Sequence, residues 1–134
     1  MQNLKLERKL INNFFLKERK ERYIGFVSDP TKRHKWIEDL RDNRYLDPRY
    51  YREIGGKELS YNKLVEIYHQ YGVREVYMAS YHEELDGIII PIEKALKEIF
   101  EGNVCMETYA YCSKENTGFF CNHEGWFYLL SKKL

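Results

Sequence analysis

Four ionisable side chains crowd the segment His82-Glu83-Glu84-Leu85-Asp86, directly after Glu75 to Tyr81. Carboxylates set beside an imidazole can hold a divalent cation or move protons. His82, Glu83, Glu84 and Asp86 are therefore the candidate catalytic set if the chain is an enzyme. Phosphoryl chemistry would also need a cation aimed at the same point, and the neighbouring sequence supplies none. The plainer reading is a solvated acidic turn. Asp86-Gly87 is a turn dipeptide, and the Asp86 side chain would then bond nearby backbone amides.

Other chemistry is less well formed. Cys105, Cys112, Cys121 and His123 are zinc-ligand types, but no CxxC occurs. Cys105 and Cys112 are an odd number of positions apart, so on a strand they would face opposite sides. Free cysteines and no metal or other cofactor are expected. Ser80 near His82 lacks a nucleophile elbow, and Gly55-Gly56 is no phosphate loop.

A second constellation is cationic and aromatic. Arg41, Arg44, Tyr45, Arg49, Tyr50, Tyr51 and Arg52 cluster in and beside the stretch YLDPRYYREIGGK, with Lys32, Arg33 and Lys35 upstream. Arg next to Tyr suits gripping an acidic protein surface, binding phosphate or stacking on bases. It also suits a loop pinned by its own cation–π contacts. Residues 1–52 carry fourteen Lys and Arg against eight Asp and Glu, a net +6; residues 53–134 carry eight against thirteen, a net −5. That asymmetry fits an anionic partner for the first half, or a basic helical layer lying on an acidic sheet. The overall pI of about 7.7 lies below the range of dedicated nucleic-acid binders.

These residues must be positioned by one domain of 134 residues, with 1–72 mainly helical and 73–134 a strand, a helix and a β-meander. Apolar residues at three- and four-residue spacing predict a helix from Leu4 to Val27. Asp29-Pro30 starts a second helix running to about Asn43. Tyr45 to Lys57 reads as a loop. Ser60 caps a helix ending at Gly72. Val73 to Tyr81 alternates as a strand, Ile88 to Ile90 is extended, and Pro91 opens a helix to Glu101. Val104 to Cys112, Phe119 to Asn122 and Trp126 to Leu130 form the closing strands, with Lys114 to Gly118 as a turn. The expected fold is α+β, an N-terminal helical layer on a mostly antiparallel sheet of about four strands. Phe14, Trp36, Leu64, Val76, Leu96, Ile99, Met106 and Leu130 are the expected core.

The Leu46-Asp47-Pro48-Arg49-Tyr50 stretch, Glu84-Leu85-Asp86-Gly87, the helix opened by Pro91-Ile92 and the closing hairpin resemble a family of small bacterial proteins of unknown function. That resemblance covers about two-thirds of the chain and implies no activity. No signal peptide is evident, and no apolar run approaches the roughly 20 residues of a membrane span. A soluble cytoplasmic location follows as the expectation. The expected function is a non-catalytic interaction protein, regulatory or inhibitory, binding another protein through Arg41, Arg44, Tyr45, Arg49, Tyr50, Tyr51 and Arg52 and a basic helix. The alternatives are a small-ligand-binding or metal-dependent enzyme at His82–Asp86 and a nucleic-acid-binding protein using the basic half. No membrane contact is expected, and the sequence is silent on oligomeric state.

Overall fold

Apolar alternation in the second half of the chain builds a six-stranded sheet, every described pairing antiparallel, in the order β1-β6-β5-β4-β2-β3. The computed structural model describes residues 2–38, 44–55, 60–101 and 107–134. The strands are β1 (Tyr51–Gly55), β2 (Glu75–Ser80), β3 (Ile89–Pro91), β4 (Thr108–Cys112), β5 (Thr117–Cys121) and β6 (Phe127–Ser131). The helices are α1 (Leu4–Phe14), α2 (Lys17–Ser28), α3 (His34–Glu38), α4 (Tyr61–Gln70) and α5 (Ile92–Glu101).

The fold is α+β as expected, but with six strands rather than about four, and with helices on both faces. Successive strand residues point to opposite sides, so each central strand feeds two cores. On one face Tyr77, Ala79, Tyr109, Tyr111, Phe120, Tyr128 and Leu130 pack against Leu10, Ile11, Phe14, Phe15, Tyr23 and Trp36 of the N-terminal helices. On the other, Val76, Met78, Ala110, Phe119, Phe127 and Leu129 meet Leu64 and Tyr68 of α4 and Ile92, Ala95 and Leu96 of α5. Of the expected core, Phe14, Trp36, Leu64, Val76, Leu96 and Leu130 are buried. Ile99 is only half-buried, and Met106 lies outside the described residues.

The expected Leu4–Val27 helix is two helices. Asn3 caps α1 by accepting from the Leu6 amide, but Phe15 is extended and forms an isolated bridge with Leu46. There the Leu16 amide donates to the Tyr45 carbonyl and the Asp47 amide to the Phe14 carbonyl. These bonds satisfy the broken helix end. After Asp29 the chain turns, with Asp29 accepting from the Thr31 amide and hydroxyl, and only His34–Glu38 is helical among the described residues before position 39. The predicted loop Tyr45–Lys57 contains β1, which pairs Tyr51 with Leu130 and Arg52 with Leu129. Thr117 and Gly118 belong to β5 rather than to the preceding turn, whose φ-positive residue is Asn116.

Candidate functional sites

The acidic turn lies at the end of β2, and its partner comes from 53 positions earlier in the chain. Arg33, in the turn leading into α3, sends Nη1 and Nη2 to the two oxygens of Asp86 at 2.6 and 2.8 Å. Its Nε and Nη2 reach Glu7 of α1 at 3.0 and 2.6 Å. Glu7 is fully buried and also accepts from the Tyr77 hydroxyl and from Gln2 Nε2. Asp86 accepts as well from the Ser80 amide at 3.1 Å. The cation that the local sequence lacked is thus Arg33, which ties α1, the α3 turn and β2 to the acidic turn.

This geometry commits rather than frees the groups. Burial alone would lower the Arg33 pKa, but its hydrogen bonds to Asp86 and Glu7 outweigh that and hold it firmly charged. Tyr77 is raised, first by burial and then by its bond to Glu7, and remains a neutral donor. A hollow of about 300 Å³ opens beside the pair, lined by Arg33, His34, Ile37, Ser80, Tyr81, Glu83 and Asp86. Glu83 and Glu84 are exposed, and His82 is half-buried with an enclosed Nδ1. Ser80 Oγ is shared with Thr108 Oγ1 and accepts from the His82 amide, so no imidazole activates it. Across Tyr81 a second hollow is lined by Glu38, Tyr81, Glu107 and His123, with His123 Nδ1 bonded to Glu107. Among the described residues no group of three or more His, Cys, Asp and Glu is placed to hold a metal ion. Cys112 and Cys121 are free thiols, and Cys105 lies outside the described residues.

The Tyr/Arg stretch is divided by the strand it contains. Arg41 lies outside the described residues. Tyr51 faces the N-terminal helical layer and meets the Tyr128 ring edge-on at 5.9 Å. Arg52, opposite Leu129, takes the other face of the sheet. Arg49 pairs with Asp47 at 2.7 Å yet leaves its side chain 73% exposed, and its guanidinium lies 5.0 Å from the Tyr50 ring centre. The Arg49 hydrogen bond holds the Asp47 carboxyl below the usual range. Tyr50 also carries Lys132 Nζ at 3.5 Å. Tyr45 packs on Tyr23 and carries Arg19 at 5.4 Å. Phe26, beside Tyr23, carries Arg22 and Lys35. Arg44 is exposed and engaged in contacts of its own.

The loop reading therefore missed Arg19, Arg22 and Lys132 as members of this surface. Their sequence signal was only a charged helix and a charged tail; what joins them is the α1–α2 break. There Asn13 to Leu16 run alongside Tyr45 to Asp47, and Lys132 Nζ donates to the Asn13 carbonyl. No family model matches the chain, and no curated protein or solved structure matches it. Both sites therefore rest on this chain's own residues. Among the described residues, no helix is long and apolar enough to cross a membrane.

Proposed function

We propose that this chain is a small, soluble, cytoplasmic and non-catalytic interaction protein, regulatory or inhibitory in role, that binds a partner through the basic aromatic face. The contact surface is Arg19, Arg22, Lys35, Tyr45, Arg49, Tyr50 and Lys132, which extends the loop and basic helix to α2 and the C-terminal tail. One observation carries this reading: five cations from α2, α3, the loop and the C-terminal tail are each held over a ring on the same helical layer. A fold needs no such array to close one connection. Cations fixed on a rigid base lose little freedom when a partner arrives, and Tyr and Arg are the residues most enriched at interface hot spots. The enzyme reading at His82, Glu83, Glu84 and Asp86 is weaker, because Arg33 and the Ser80 amide occupy both Asp86 oxygens.

The test pairs Arg19→Ala with Arg49→Ala. Both side chains are exposed, so the melting temperature should hold while recovery of the partner from native-host extract falls, more steeply at low salt. Lost stability with undiminished recovery would end the reading.

A further inference from the structure

The same surface discriminates between two kinds of anionic partner. A site that holds single-stranded nucleic acid needs open ring faces on which bases stack, set among cations. Here the rings and the open surface are separated. Tyr45, Tyr50 and Phe26, which carry the cations, are only half-exposed, and each is already engaged: Tyr45 by Tyr23 and Arg19, Phe26 by Tyr23, Arg22 and Lys35, Tyr50 by Arg49 and Lys132. The large aromatic rings that do stand open among the described residues are Tyr81 at 46% and Trp126 at 42%. Tyr81 shares its hollows with Glu38, Glu83, Asp86 and Glu107 and with Arg33, His34 and His123, but Arg33 is committed to Glu7 and Asp86 and His123 to Glu107; Trp126 follows Glu124 in the β5–β6 turn. Carboxylates there repel a phosphate backbone. Open rings and cations therefore lie at different places, which is the reverse of a stacking platform.

The cationic side chains remain available. Arg19, Arg22 and Lys35 are exposed and form no ion pair among the described residues. Arg49 spends Nε and Nη2 on Asp47 while its side chain stays largely exposed. What this presents is a set of separate positive points on covered rings, suited to carboxylates spaced along a protein surface. Resting on the proposed interaction face, we infer that its partner is an acidic protein segment rather than a nucleic acid.

Fluorescence anisotropy with two labelled probes, an oligoglutamate peptide and an oligothymidylate of equal charge number, tests this in the full chain at matched ionic strength. Arg19→Gln with Lys35→Gln should weaken the peptide about fivefold or more, as loss of two exposed charge contacts allows. Tyr45→Leu with Tyr50→Leu frees Arg19, Arg49 and Lys132 from their rings but keeps their charge, so it should weaken the peptide too, by less than the charge variant does. Tighter binding of the oligothymidylate, lost about fivefold or more on ring removal as stacking requires, would overturn the partner class while leaving an interaction face in place. Peptide binding indifferent to the charge variant would overturn the inference. If extract capture were also indifferent to Arg19→Ala with Arg49→Ala, the proposed function would fall with it.

Discussion

Removing Arg33 is the most informative single perturbation of this fold. Its guanidinium makes five hydrogen bonds, three to Glu7 and two to Asp86. The two carboxylates differ in what they lose. Asp86 keeps the Ser80 amide and is 26% exposed, so water can replace the missing partner and the cost there is about 1 kcal/mol or less. Glu7 has no exposure at all and, among the described residues, keeps the Tyr77 hydroxyl and a long contact from Gln2. Leaving a buried charge without its counter-ion costs about 3–5 kcal/mol. Arg33→Ala should therefore remove roughly 3–5 kcal/mol, a fifth or more of the total stability common for a domain. Urea unfolding at neutral pH reads this as a lower midpoint at unchanged slope. Replacing both partners, Arg33→Met with Glu7→Leu, should recover most of the loss, because no charge is then stranded. A loss below about 1 kcal/mol for Arg33→Ala, at unchanged slope, would refute the reasoning.

Three further outcomes are expected. A Cβ on Gly118 would sit 1.9 Å from the Ala110 carbonyl oxygen, so Gly118→Ala must push β5 from β4 and should cost several kcal/mol, on the order of other overpacked sites; an unchanged melting temperature would contradict that contact. Asp47 is held below the carboxylate range by Arg49, so its contribution is complete above about pH 4 and is lost as pH falls through the depressed folded value; Asp47→Asn should flatten the acid limb of the melting curve. Burial raises Tyr68, Tyr77 and Tyr109. Above about pH 10 the unfolded chain loses protons that the folded chain keeps, so stability should decline with rising pH; a flat melting temperature through that range would argue against it.

β2 was legible because Val76 to Ala79, buried on both faces, form a short unbroken apolar run bounded by the turn residues Gly72 and Gly87. α4 and α5 were legible from Ser60, Gly72 and Pro91. The α1–α2 break was not, since Phe14 and Phe15 continue the helical stripe and only pairing with Leu46 makes extended backbone favourable at Phe15. β1 was hidden because an edge strand with exposed Arg52 and Glu53 has half a pattern. The Arg33–Asp86 pair joins residues 53 positions apart, and no local rule points from one to the other. Asp86 bonding a backbone amide was foreseeable from its turn, and the Ser80 amide fills that role. Which tyrosines of the loop face outward depended on the unseen strand.

The strand order has a consequence for synthesis. Tyr51 completes the sheet by pairing with Leu130, 79 positions later in the chain. During translation, Phe14, Phe15 and Trp36 emerge long before Phe120, Tyr128 and Leu130, the strand residues that cover them. Contacts of such long sequence separation form late, so the nascent N-terminal half must wait with its apolar side open, a state prone to association. The interleaved Lys, Arg and Glu of Lys17 to Arg22 give that waiting segment charge of both signs. A ribosome-stalled chain ending before Phe127 should accordingly be cut by protease throughout its first half, and a chain stalled with Phe127 to Ser131 clear of the ribosome should be closed and protected.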